Sequence, residues 1–499
     1  MSAPNIVLIM ADQLAPQFLG TYGHPLVKTP HIDALAARGM RFDAAYCNTP
    51  LCAPSRASMM TGQMISRIET WDNGAEFGAT WPSFAHDLRS AGYHTCLSGK
   101  MHFVGPDQLH GFERRLTTDI YPADHAWTPD WDQPEARIDK WYHNMDAVRQ
   151  AGRVTTSFQY DYDEETTFLA RRQIFDYAMQ RSAPFALVVS LIHPHDPYLA
   201  RPEWWDLYDG ADIDLPETPP AQDRHSQRLR VGAAGDVTPV SDAQIRTARR
   251  AYFANVSFFD AQVGVIVKAL EESDQLDNTV IIVTSDHGDH LGEHGLWYKM
   301  SFLEHSARVP LVCAGPGIVQ GRCDAPVSLV DLRATFCDLA HAPTPDSDGA
   351  SLVPLLHGAA APKRTVHGEY CAECAVNPIG MIRRGAHKFI WSKGDPPLLF
   401  DVITDPLEQT NLAPDHPEFV AQFQTEADAR WDSDALRARI LSSQHRRRAV
   451  QHAMEQGTLV SWDYTPPRDA AQEFVRNHMD WIDVADRKRY PPPQKEQPE

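Results

Sequence analysis

Short apolar runs recur along the chain, and most are separated by segments whose apolar positions fall three and four apart. Asn5 to Met10 (NIVLIM), His94 to Ser98, Phe185 to Ile192 (FALVVSLI), Thr279 to Ser285 (TVIIVTS) and Val309 to Ala314 are too short for buried helices and predict buried strands. Thr29-Pro30 opens a helix that Gly39 stops, and SFAHDLRSAG after Trp81-Pro82 reads as a second. Ser241-Asp242 caps a long amphipathic helix through Glu272, and VSLVDLRATFCDLA, residues 327–340, reads as another. The fold class is therefore α/β: a large, mostly parallel sheet sandwiched by helices. In such a sheet the residues just past the strand C-termini gather at one edge, where ligand sites form. Asp12, His195 and Asp286 all hold that position.

The pattern changes in two places. From about residue 117 to 167 the chain is aromatic, polar and irregular, as in IYPADHAWTPDWDQPEARIDKWYHNMD, and reads as a long insertion. From Thr365 onward VHGEY, IGMIRRG, HKFIWS and LLFDVITDP are short runs broken by turn residues, which predicts a small antiparallel sheet. Beyond Asn411 the chain is helical and charged, and RKRYPPPQKEQPE at its end is expected to be extended. The organisation is thus an α/β domain over 1–364, a small-sheet subdomain with a helix over 365–434, and a C-terminal segment over 435–499.

Composition narrows the function. With 46 Lys+Arg against 66 Asp+Glu the 499-residue chain carries a net charge of −20, which argues against a nucleic-acid partner. Eight cysteines without a regular framework do not make a disulfide scaffold. The opening MSAPNIVLIMADQ lacks a basic region and its apolar run is cut by Asp12, so it does not read as a signal peptide. No run of uncharged apolar residues approaches membrane-spanning length, and a reducing cytoplasm is the expected compartment.

The candidate chemistry centres on Asn48 to Gly62, NTPLCAPSRASMMTG. Cys52 precedes a short helix closed by Gly62, with Arg56 one turn on. A helix N-terminus and a guanidinium would both depress a thiol pKa, giving a nucleophile beside an anion-binding arginine. Taken alone, a buried cysteine ahead of a helix is the commoner case. Asp12 and Asp286 offer hard oxygen ligands at strand ends, suited to a divalent cation.

The segment C-A-P-S-R followed by T-G resembles the signature of the type I sulfatases of the alkaline-phosphatase-like superfamily. NIVLIMADQ, Gly99-Lys100-Met101-His102, SDHGDHLGEHGLWYK from Ser285 to Lys299 and LFDVITDPLEQTNLA from Leu399 to Ala413 stand in that family's order. The resemblance implies that Cys52 is oxidised to formylglycine by a formylglycine-generating enzyme. It implies that the hydrate of that group attacks the sulfur of a small sulfate ester and that Arg56 holds the charge of the attacking oxygen. One divalent cation is implied at Asp12, Cys52, Asp286 and His287, with Gln13 standing where the family often has a second aspartate. Calcium is the first expectation for that cation and manganese the second. Lys100, His102 and Lys299 match positions that bind sulfate oxygens, and His195 in PHDP matches the histidine near the leaving oxygen, with His193 as its neighbour. His290 and His294 read as structural.

Within the insertion, Trp127, Trp131, Trp141, Tyr142 and His143 suit a quaternary ammonium through cation–π contact, although such rings also serve simply to pack a loop. HFVGPDQLHGFERRLTTDIYPADHAWTPDW, KWYHNMD and the run RRRAVQHAMEQGTLVSWDYTPPRDAAQEFVRNHMD resemble the choline-sulfatase subgroup. That resemblance implies choline O-sulfate as substrate, with Trp127, His143, Asn73 and Glu373 around the trimethylammonium. It also implies a homodimer or homotetramer whose contact includes the C-terminal segment. Cys371 and Cys374 have no second pair to complete a zinc site. The rival readings are a phosphodiester or phosphonate monoester hydrolase, a broader alkyl or aryl sulfatase, and a non-catalytic quaternary-ammonium binding protein.

Overall fold

The computed structural model describes residues 3–138, 141–470, 474, 480, 483 and 489–493. Much of the C-terminal run from Gln472 to Met479 and of the final Pro-rich tail therefore lies outside the described residues.

The central sheet has nine strands. Along its main path they run Gly321–Cys323, Met40–Tyr46, Arg308–Ala314, Thr279–Ser285, Asn5–Asp12, Phe185–Pro194, His94–Gly99 and Arg114–Arg115, and Val327–Ser328 also pairs with Met40–Tyr46. All pairings are parallel except those of Arg308–Ala314, which is antiparallel to both neighbours. Side chains alternate across the sheet, as a strand period of two requires. Val7 and Ile9 meet Ile32, Ile174 and Phe259 from the helices Pro30–Arg38, Phe158–Gln180 and Asp242–Glu272 on one face. Ile6, Leu8 and Met10 meet Met59, Leu88 and Phe336 from Cys52–Thr61, Phe84–Ser90 and Asp331–Leu339 on the other.

Four antiparallel strands, Thr365–Tyr370, Ile379–Arg384, His387–Ser392 and Leu398–Asp401, form the small sheet. Its core, including Met381, Phe389 and Phe400, is continuous with Leu51, Trp71 and Phe302 of the main domain and with Phe423 and Ile440 of the last two helices. A buried Lys388 ties the sheet to Glu304 at 2.8 Å and to Glu408, from the DPLEQ segment, at 2.6 Å. Removing either acid would leave a buried charge short of a partner.

Two expectations change. The insertion ends earlier than residue 167, because the helix Phe158–Gln180 already begins at Ser157, whose side chain caps Tyr160 N. Its first turns are held by tertiary contacts that no local pattern encodes: Asp163 accepts from Ile192 N and His193 N, and Gln159 donates to the Asp196 carbonyl. The helix read over 327–340 starts at Asp331, because Val327–Ser328 is drawn into the sheet edge beside Tyr46. Helix Asp242–Glu272 is long and apolar enough overall to cross a membrane, but Asp260 and Lys268 break its apolar run and 78% of its most apolar window is buried inside the fold.

Candidate active site

Three adjacent parallel strands deliver the site. Asp12 ends its strand, His195 follows Phe185–Pro194, and Asp286 follows Thr279–Ser285. Lys100 enters from the next strand through Gly99, whose φ of +106° and close approach to the Ser190 carbonyl leave no room for a Cβ. Cys52 is the first residue of its helix, which Gly62 closes in a left-handed conformation.

These residues are buried together. Asp12, Asp286, His287 Nε2 and Cys52 Sγ offer donor atoms that all lie within 4.8 Å of one another. Two carboxylates, one imidazole and a fourth small donor fit a divalent cation, and their burial requires positive charge nearby. Arg56 supplies part of it, donating to Asp286 Oδ2 at 2.8 Å and Asp12 Oδ2 at 3.1 Å. Its remaining nitrogen is fixed by the Lys100 carbonyl at 2.7 Å and Ser190 Oγ at 2.8 Å. Lys100 Nζ also bonds Asp12 Oδ2. Burial alone would raise the Asp12 carboxyl, but Lys100, His195, Arg56 and His287 together hold it well below the usual carboxylate range.

Gln13 belongs to this cluster, yet its side chain faces other protein groups. Its Nε2 donates to Asp289 Oδ2 at 2.8 Å and Asp196 Oδ1 at 3.2 Å, and its Oε1 accepts from Lys299 Nζ at 2.6 Å. Lys299 Nζ also lies 2.7 Å from His195 Nε2. The other ring nitrogen of His195 is 2.7 Å from the Asp196 carbonyl and 3.3 Å from Tyr121 OH. With a lysine donating to Nε2, the ring is neutral and carries its hydrogen on Nδ1. Burial and the Lys299 charge hold its pKa well below the ordinary value.

The thiol expectation is reversed. Burial, followed by the Asp12 carboxylate, pushes Cys52 up to about 11, and this outweighs the lowering by Lys100 and Lys299. Cys52 Sγ lies 3.2 Å from His287 Nε2 and 3.8 Å from Asp12 Oδ1, so it faces the cation donors and not open solvent. As a plain thiol it is a poor nucleophile at neutral pH.

A cavity of about 600 Å³ opens from Cys52 and His195. Asn73, Tyr121, Trp127, Tyr142, His143 and Glu373 also line it, together with Trp131 and Trp141. Trp127 packs 4.9 Å from Tyr121 and 6.3 Å from Tyr142, ring centre to ring centre. His143 Nδ1 sits 3.4 Å from Asp196 Oδ1, and Asn73 Oδ1 accepts from Ala53 N at 3.0 Å. Glu373 is buried, one of its oxygens has no partner, and burial with the nearby Asp72 raises its pKa to about 7. His102 packs its ring 5.5 Å from Trp127, with both ring nitrogens unpartnered, and burial followed by Lys100 lowers it to about 3. His193 turns away to Asp163 Oδ2 at 2.7 Å, His290 bonds Ser301, and Cys371 and Cys374 are buried free thiols.

Reasoning from sequence missed four supporting groups. Ser190 fixes Arg56, Asp196 carries His195 and His143, and Asp289 receives Gln13 and Tyr198 OH. Tyr121 completes the cavity wall. Asp196 and Asp289 stood inside quoted motifs, so their acidic chemistry beside a motif histidine was an available signal.

The Sulfatase family matches residues 4–342. The region described as "Choline sulfatase enzyme C terminal" matches residues 438–490, and "N-sulphoglucosamine sulphohydrolase, C-terminal" matches residues 292–429. The chain is 45% identical to a choline-sulfatase of Rhizobium meliloti (strain 1021), over 98% of each chain. It is 32% identical to an arylsulfatase of Clostridium perfringens, over 82% of this chain and 90% of that one. Among solved structures, the phosphonate monoester hydrolase of Agrobacterium radiobacter superposes with a TM-score of 0.67 at 24% identity, covering 88% of this chain and 96% of that one. At that identity the likeness establishes the fold.

Proposed function

The chain belongs to the sulfatase family, and from that premise we propose that it hydrolyses choline O-sulfate to choline and sulfate. The observation that carries this reading is a cavity with two unlike ends. Arg56, Lys100 and Lys299 gather around Cys52 at one end. Trp127, Tyr142, His143 and Glu373 line the rest of it, the Tyr142 and His143 rings 6.0 and 5.4 Å from that of His195. A sulfate ester with a quaternary ammonium a few bonds away matches both ends. The near full-length likeness to a choline-sulfatase supports this choice of ester.

Sulfatases generally use formylglycine and a divalent cation. In this chain we assign the first to Cys52 and the second to Asp12, Asp286 and His287. Hydrated formylglycine supplies an oxygen nucleophile that a thiol of such high pKa does not. The cation, for which calcium suits the two carboxylates and manganese suits His287, would stabilise negative charge as a Lewis acid. Arg56 and Lys100 are positioned to bind anionic oxygens beside Cys52, and their bonds to Asp12 fix them there in advance. The Lys299–His195 pair holds a proton between two nitrogens 2.7 Å apart, where it can pass to the departing choline oxygen. Because Cys52 is only 1% exposed, its oxidation has to precede closure of the fold around it.

Peptide mass spectrometry across Cys52, combined with choline release from choline O-sulfate and hydrolysis of a phosphate diester, tests the reading. An aldehyde at Cys52 and faster turnover of choline O-sulfate are expected. Faster turnover of the diester overturns the substrate, and a plain thiol in an active preparation overturns the nucleophile.

A further inference from the structure

The outer wall of the cavity is anchored by a helix far away in sequence, Ser433–Met454. Gln444 Oε1 accepts from Trp131 N at 3.0 Å, and Arg448 pairs with Asp130 at 2.6 Å and Asp132 at 2.7 Å. The ion pairs of Arg448 are half-exposed and contribute little. Arg447 differs because it and its partner are buried. Its guanidinium forks onto Asp72, Nη1 to Oδ1 at 2.7 Å and Nη2 to Oδ2 at 2.8 Å, while Nη1 also donates to Thr128 Oγ1 at 2.8 Å.

Each of those two partners adjoins a cavity residue. Asp72 precedes Asn73, whose side chain caps Ala53 N next to Cys52. Thr128 follows Trp127, and the two walls touch at Gly74, where a Cβ would stand 2.5 Å from Thr128 N. Arg447 does not itself line the cavity. A buried, two-pronged arginine–carboxylate pair fixes geometry more than it adds stability.

We propose that Arg447 is the positioning residue for the ammonium end of the substrate, one guanidinium setting the separation between the Asn73 wall and the Trp127 wall. The role rests on the reading of the substrate as choline O-sulfate. Cation–π attraction requires the cation over the ring face within about 6 Å, so a small shift of Trp127 weakens it. The sulfate end is held chiefly by the central sheet and meets this helix only through the Asn73 bond to Ala53 N, so it should feel the change far less.

The test uses the full-length protein, with 4-nitrophenyl sulfate as reporter substrate and choline and inorganic sulfate as separate inhibitors. Arg447→Gln should raise the inhibition constant of choline by about tenfold and shift that of sulfate by less than about twofold. Arg447→Lys keeps the charge but loses the fork, and should fall between wild type and Arg447→Gln. It also serves where Arg447→Gln does not fold. Choline constants unchanged in both variants, or choline and sulfate weakened in parallel, overturn the role and leave the substrate reading standing. Wild-type protein whose turnover ignores choline overturns both.

Discussion

The two ends of the cavity are built in opposite ways. At the sulfate end most groups sit at or next to the end of a central strand or on the helix that starts at Cys52, with Lys299 reaching in from the loop that follows Thr279–Ser285 to bond Gln13 and His195. At the ammonium end the walls come from residues 72–73, the insertion, Glu373 and a C-terminal helix, joined by contacts that span more than 300 residues of sequence. The sulfate end holds its charges in a mesh of short ion pairs, while the ammonium end relies on ring faces and one buried carboxyl. Chemistry and selectivity should therefore be separable by mutation.

The sharpest break comes from Cys52→Ala. Turnover of every sulfate ester should fall by at least about 10⁴-fold in kcat, since the nucleophile is gone and only binding remains. Rates with choline O-sulfate and with its neutral isostere 3,3-dimethylbutyl sulfate should fall alike. Trp127→Ala should act mainly on the ammonium. It should raise KM for choline O-sulfate by about tenfold and KM for the isostere by less than about threefold. Equal losses on both esters would mean that the ring only packs the insertion.

The smallest expected effect is one of pH. Glu373, raised to about 7 by burial and by Asp72, is neutral below that value and a carboxylate above it. Only the charged form attracts an ammonium, so choline affinity should rise by about threefold from pH 6 to pH 8. Inhibition titrations would show the rise in wild type and its loss in Glu373→Gln.

The same contrast explains what could be read from the sequence. Asp12, His195 and Asp286 follow short apolar runs, so the pattern placed them at strand ends, while Cys52 to Arg56, Gly99 to His102 and Ser285 to Lys299 are contiguous motifs legible through their resemblance to the sulfatases. The fork between Arg447 and Asp72, 375 residues apart, left no local trace, nor did the bond from Ser190 to Arg56. The pKa of Cys52 was misjudged for a related reason. Its helix N-terminus is visible in sequence, but the Asp12 carboxylate 3.8 Å away and the burial that outweigh it are products of the tertiary fold. The start of Phe158–Gln180 was hidden likewise, since its Gln159 and Asp163 are held by the distant Asp196 carbonyl and His193 N.

Recognition of a sulfate and a quaternary ammonium together in one pocket underlies all of these effects. Its most direct test is the ratio of kcat/KM for choline O-sulfate to that for 3,3-dimethylbutyl sulfate, measured on the wild-type protein with Cys52 confirmed as formylglycine. A preference for choline O-sulfate of about tenfold or more is predicted. A ratio at or below unity would contradict it.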